Sequence, residues 1–138
     1  MGDKVRGIDI YVCVNTGTHA SPVWTKVGGQ KDATRNMNRT KIDVTDKDSG
    51  GWEQSIAGNR SLDIDFDAFL IEDDAGMLAL EAGGFWGNGL LGVECQLVTP
   101  LHAYSGYFQL TKEPMKATEK DAATVSFTLA SNGAITMV

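Results

Sequence analysis

From Leu62 to Asp67 the chain alternates strictly: Leu62, Ile64 and Phe66 fall on one face of a strand, Asp63, Asp65 and Asp67 on the other. One face must meet a core and the other must stay wet. Upstream, Ile42 and Val44 alternate with Asp43 and Thr45 in the same period. Between them lies Asp46-Lys47-Asp48-Ser49-Gly50-Gly51, dense in turn formers, followed by the large apolar ring of Trp52. Lys41–Phe69 therefore reads as strand, long polar tip, strand. Residues 41–60 make an excursion much longer than the loop of an ordinary hairpin, which has about 2–5 residues. Long excursions in compact domains serve contacts, and here we expect the contact to be with another copy of the chain.

The rest of the 138 residues carries the same period. Gly7–Val14 places Ile8, Ile10, Val12 and Val14 on one face. Val23–Val27 is a second short strand, with Trp24 expected in the core. Gln30–Thr40 is polar, basic and weakly patterned. Gly92–Thr99, Ala103–Lys112 and Ala122–Ala130 are expected strands; Asn132-Gly133 is a turn signal, and Ala134–Val138 returns as a last strand. One helix is expected at about 74–83, capped by Asp73 or Asp74, with Ala75, Leu78, Ala79 and Ala82 on its packed face and Gly83-Gly84 as its stop. These elements predict one mainly β domain, residues 1–138: a β-sandwich or partly closed barrel with one short α-helix packed on its side and a long extended hairpin-like loop.

Hydrophobic residues make up 42% of the chain, enough for a core without staples, and the net charge is −6. An acidic chain lacks the basic face that adhesive nucleic-acid binding needs. No signal peptide opens the chain and no segment reaches the ~18 apolar residues of a membrane helix, so synthesis in a cytosol is expected. Cys13 and Cys95 read as buried thiols, with a bridge left open.

No motif proposes catalysis, a cofactor or a metal. Gly87-Asn88-Gly89-Leu90-Leu91-Gly92 matches a dinucleotide fingerprint in letters, but a helix precedes it and a strand follows, the reverse of what a pyrophosphate site requires. The row Asp63, Asp65, Asp67 lacks the loop curvature that converges oxygens on one ion, and Asp46/Asp48 lack the remaining calcium-loop residues. His19 and His102 stand outside any recognisable ligand spacing. Trp52 and Trp86, beside glycines, are core residues or interface anchors. Long sheet edges need cover, which sheet proteins commonly find in neighbouring strands.

Val27–Ala75 resembles the major tail tube protein of long-tailed phages. The resemblance is carried by Gly28-Gly29-Gln30-Lys31-Asp32-Ala33-Thr34, Ile42-Asp43-Val44-Thr45 and Asp48-Ser49-Gly50-Gly51-Trp52. Tyr104-Ser105-Gly106 and Asp121–Leu129 are similar to that family's C-terminal half, so the likeness runs from about Ile8 to Thr136. It implies a virion or prophage particle protein, made in the bacterial cytoplasm, whose subunits form hexameric rings stacked into a tube. The implied partners are other copies of the chain, a tape-measure protein inside the tube, and terminator and baseplate proteins at its ends. DNA passes through without specific binding, and no membrane is involved. Asp46, Lys47, Asp48, Ser49, Gly50, Gly51 and Trp52 are the expected inter-subunit stacking loop, and Asp63, Asp65 and Asp67 a candidate acidic face of the lumen. Two other readings are a monomeric β-sandwich that binds a ligand or carbohydrate, and a hydrolase built around His19 or His102.

Overall fold

The alternating segments become strands: β1 (Tyr11–Asn15), β2 (Trp24–Lys26), β3 (Gln30–Asp43), β4 (Ser55–Phe69), β5 (Val93–Val98), β6 (Ala103–Lys112), β7 (Met115–Lys116), β8 (Thr124–Ser131) and β9 (Thr136–Met137). A computed structural model describes residues 2–87 and 92–138. Among these residues the strands form one antiparallel sheet in the order β2-β1-β5-β6-β8-β4-β3, with β7 on β8 and β9 on β6. Its two ends, β2 and β3, are consecutive in the chain, joined only by Val27, Gly28 and Gly29. The sheet therefore curls so that the base of β3 returns beside β1 and β2 while the rest of its edge stays open, a partly closed barrel, the second of the two architectures expected.

Gln30 closes the seam. Its amide oxygen accepts from the Val12 N–H at 2.9 Å, and its amide nitrogen donates to the Val12 carbonyl at 2.8 Å and the Val27 carbonyl at 2.7 Å. One side chain thus stands in for the missing rung between β1 and the base of β3.

The core fills the inside of the curl with Val12, Val14, Leu62, Ile64, Phe66, Cys95, Phe108, Phe127 and Leu129 among others. Phe66 and Phe127, paired across β4 and β8, stack with centroids 4.9 Å apart. The helix α1 (Ala75–Gly84) covers the side of the curl, packing on β1, β2, β5 and β6. Asp74 caps it, accepting from the Met77 N–H at 3.0 Å, and the same carboxylate accepts from the Gly28 N–H at 3.1 Å. One residue thereby ties the helix start to the link between the sheet ends.

Several expectations need correction. The buried face of α1 is Gly76, Met77 and Leu80, whereas Leu78 is exposed. Gly76 decides that rotation: a Cβ there would lie 2.9 Å from Val27 Cα, so only glycine lets the helix approach so closely. Gly83 and Gly84 lie inside the helix, and Phe85 follows as its C-cap. Gln30–Thr40, read only as polar and weakly patterned, is strand. Trp24 is half-buried, not core. The last strand, shorter than expected at Thr136–Met137, pairs with β6. Cys13 pairs with Gln96 and Cys95 with Val14, which puts the thiols on opposite faces of the sheet and rules out a bridge between them.

Candidate functional site

The excursion is a ribbon with an ordered tip. β3 and β4 pair from Gln30↔Ala68 out to Asp43↔Ser55, so residues 41–43 and 55–60 are strand and the irregular tip is confined to 44–54. β8 supports β4 only from Asp63 to Phe69. Beyond that point Ser55–Ser61 pairs with β3 alone, about 23 Å of two-stranded ribbon at ~3.3 Å per residue. Both sides of it are wet: Met37, Ile42, Val44 and Ile56 are all exposed. A two-stranded ribbon with apolar residues in water is marginal by itself.

The tip is nevertheless built from within. Asp46 caps a single 3₁₀ turn (Lys47–Ser49), accepting from the Asp48 N–H at 3.0 Å, while Ser49 Oγ accepts from the Asp46 N–H at 3.1 Å. Ser49 is buried, with Oγ 3.1 Å from both Asp46 Oδ1 and Gln54 Oε1. Thr45 Oγ1 accepts from the Gln54 N–H at 2.8 Å, and the Val44 N–H donates to the Gln54 carbonyl at 2.9 Å. Hydrogen bonds from the Thr45 side chain and amide hold the Asp43 carboxyl below its usual range. Gly50 and Gly51 take left-handed φ values of 65° and 84° to turn the chain back. All this scaffolding presents Trp52 to solvent, 79% exposed.

The second feature is the sheet face turned away from the core. Asp63 lies between Asn36 and Ala130, Asp65 between Thr34 and Thr128, and Asp67 beside Ser126, whose hydroxyl donates to it at 2.5 Å. The same face continues through Gln109, Tyr107, Ser105, Gln96 and Glu94. Among the described residues no lysine or arginine ion-pairs with the three aspartates.

The histidines are engaged elsewhere. His19 Nδ1 lies 2.8 Å from Glu94 Oε2, its ring stacks on Tyr107, and Glu94 Oε1 also accepts from Asn15. That arrangement pins the loop between β1 and β2 onto the polar face. Among the described residues it brings together a carboxylate and an imidazole, with no hydroxyl hydrogen-bonded to the ring, the third member of a hydrolytic triad. His102 packs edge-on against Tyr104. The described residues hold no metal-binding group of histidines, cysteines and carboxylates. In the glycine motif Gly87–Gly92, residues 88–91 lie outside the described residues. The exposed aromatics are dispersed: Trp52 is at the hairpin tip and Phe69 at the end of β4, while Phe85 and Trp86 pair edge-to-face beyond α1.

A curled sheet with a long uncovered edge strand and a projecting two-stranded ribbon defines a β subunit shaped for assembly with its like. Residues 4–137 match the family model for phage tail tube protein, and the chain belongs to that family. It is a tube-forming structural protein of the virion tail. Among solved structures it is similar to the tail of an empty gene transfer agent particle, with a TM-score of 0.81, 21% identity, and 96% and 98% of the two chains covered. It is also similar to a chain of the native gene transfer agent virion (TM-score 0.80, 20% identity, 96% and 98% covered) and to the SPP1 tail tube (TM-score 0.73, 13% identity, 97% and 78% covered). No curated protein matches the chain by sequence.

Proposed function

We propose that residues 1–138 act as one tube-forming domain whose copies close into hexameric rings, and that the β3–β4 hairpin carries the contact between successive rings. The observation that carries this reading is the ribbon of Ser55–Ser61 and its tip, which extend beyond the support of β8 and expose Trp52, Ile42 and Ile56. The sixfold symmetry of the similar gene transfer agent tail supports the ring size. The outer edge of β3, fourteen residues long and unpaired in the single chain, is a strand edge on which a neighbouring sheet can continue. Ends of the tube would meet terminator and baseplate proteins; similar chains come from a tube-terminating cap and a baseplate of an anti-feeding prophage.

The Asp63/Asp65/Asp67 face would line the channel. DNA carries one negative charge per ~1.7 Å of axis, so a basic wall would hold it in a salt-dependent trough, whereas carboxylates keep it moving and centred. A tape-measure protein would occupy the channel before DNA. The subunits are made in the bacterial cytoplasm and end in the tail.

Two variants test the stacking role: Trp52→Ala, and replacement of Asp46–Gly51 by a two-residue Asn-Gly turn. Each should give a folded monomer by circular dichroism and lose tubes by negative-stain microscopy. Loss of a buried Trp anchor costs on the order of 2 kcal/mol per interface. Tubes at wild-type yield from both variants would sink the stacking role. For the lumen, Asp63→Lys, Asp65→Lys and Asp67→Lys together should assemble and slow DNA ejection; ejection at the wild-type rate would remove these residues from the wall.

A further inference from the structure

The hairpin tip has a complementary surface at the other end of the same subunit. A groove of about 560 Å³ opens at the seam, where the start of β3 faces β1, β2 and the N-terminal segment. Ile8, 77% exposed, and the Tyr11 ring give it apolar walls. Lys26 and Lys31 stand on its rim, with Asp32 the one acid among its lining residues. Lys26 lies 4.6 Å over the Tyr11 ring and Lys31 5.0 Å over the Phe69 ring. Neither lysine has a carboxylate within ion-pairing distance among the described residues.

The tip has the opposite character. Between Asp43 and Gln54 it carries Asp43, Asp46, Asp48 and Glu53 against the single Lys47, and it offers the exposed Trp52 ring. β3 runs directly from the groove to the tip; Lys31 to Asp43 spans about 40 Å at ~3.3 Å per residue. The two surfaces thus lie at opposite ends of one rod. Surfaces that are complementary but lie at opposite ends of one rod cannot satisfy each other within one copy, whereas copies stacked in one orientation, as rings of a tube are, can satisfy both. They form a head-to-tail contact that repeats indefinitely in one direction.

We infer that the groove between the N-terminal segment and the base of β3 receives the hairpin tip of a second copy, with Trp52 between Ile8 and Tyr11, and Asp48 and Glu53 facing Lys26 and Lys31. This rests on the stacking role proposed above and names the surface it acts on. Asp46 is excluded from the charge contact because its carboxylate caps the tip's own 3₁₀ turn. The contact also gives the tube a polarity: every hairpin points the same way.

A charge swap tests it. Lys26→Glu with Lys31→Glu, and separately Asp48→Lys with Glu53→Lys, should each raise the concentration needed for tubes roughly tenfold, since surface ion pairs are individually weak and reversal makes them repel. Combining all four substitutions should restore assembly to within about threefold of wild type. A combined variant as defective as the two sets added together overturns the groove as the dock, while the stacking role survives if Trp52→Ala still abolishes tubes. Charge variants that assemble normally also overturn it. Should the lysine variants fail to fold, cross-linking decides: Asp48→Cys protein mixed with Lys31→Cys protein, assembled and oxidised with copper phenanthroline, should give disulfide-linked dimers. Assembled tubes without that cross-link overturn the assignment.

Discussion

Gln30 is the residue on which the closed seam most depends, and Gln30→Met is its sharpest test. Methionine keeps the length of the side chain and removes all three hydrogen bonds, to the Val12 N–H, the Val12 carbonyl and the Val27 carbonyl. Each such bond contributes about 0.5–1.5 kcal/mol net, and water can reach part of this half-buried site, so the expected loss is about 2–3 kcal/mol. For a domain of this size that is a fall in Tm of roughly 10 °C. Thermal unfolding followed by circular dichroism on dilute, unassembled protein measures it. Hydrogen exchange supplies the local readout, because the Val12 amide should lose protection in the variant while the Phe127 amide in β8 keeps it. If Gln30→Met unfolds within 2 °C of wild type and Val12 remains protected, the seam is held by something other than this side chain.

Asp74→Ala removes both the helix cap and the tie to Gly28, and should cost about 1–2 kcal/mol by urea denaturation, more than a cap alone; a change below 0.5 kcal/mol would contradict the double role. Burial, and then the nearby Glu81 carboxylate, push the Glu113 carboxyl up. Its ionised form is therefore disfavoured in the native state. The resulting penalty is absent below the ordinary glutamate range, grows as pH rises toward the raised value and is complete above it. Glu113→Gln should accordingly raise Tm near neutral pH and leave it unchanged near pH 3; a gain of equal size at both would refute an electrostatic cause. Burial also raises both thiols, with Cys95 the more affected. Neither should react with a disulfide reagent until the protein unfolds, and mild oxidation should give no intramolecular bridge; rapid labelling of folded protein would contradict the packing.

The strands that line the core were legible because burial writes itself as alternation. Leu62, Ile64 and Phe66 in β4, and Val125, Phe127 and Leu129 in β8, all turn inward as the period requires. The helix was visible through its cap and its terminal glycines, but its rotation was not. Ala75, Leu78, Ala79 and Ala82 form as good a stripe as Gly76, Met77 and Leu80, and only the close approach to Val27 distinguishes them. β3 is only half legible in the sequence, because a strand exposed on both faces has no hydrophobic period to show. Its backbone is fixed by pairing with β4, not by its own side chains. Gln30 and the His19–Glu94 pair escaped because both join residues far apart in the chain, and a lone polar residue carries no local signal of its distant partner. The groove at the seam arises from the curl itself, so no single stretch of sequence contains it.

On the stacking role proposed above, the β3–β4 hairpin belongs functionally to the next ring and not to its own subunit. A cryo-electron microscopy reconstruction of tubes assembled from the purified chain, or of the native tail, tests it directly. Density for Asp43–Ser55 should cross the boundary between rings, with Trp52 buried against a subunit of the adjoining ring and the Asp63, Asp65 and Asp67 face turned to the channel. A hairpin folded back on its own subunit, with Trp52 in solvent and the ring boundary formed by other residues, would contradict it.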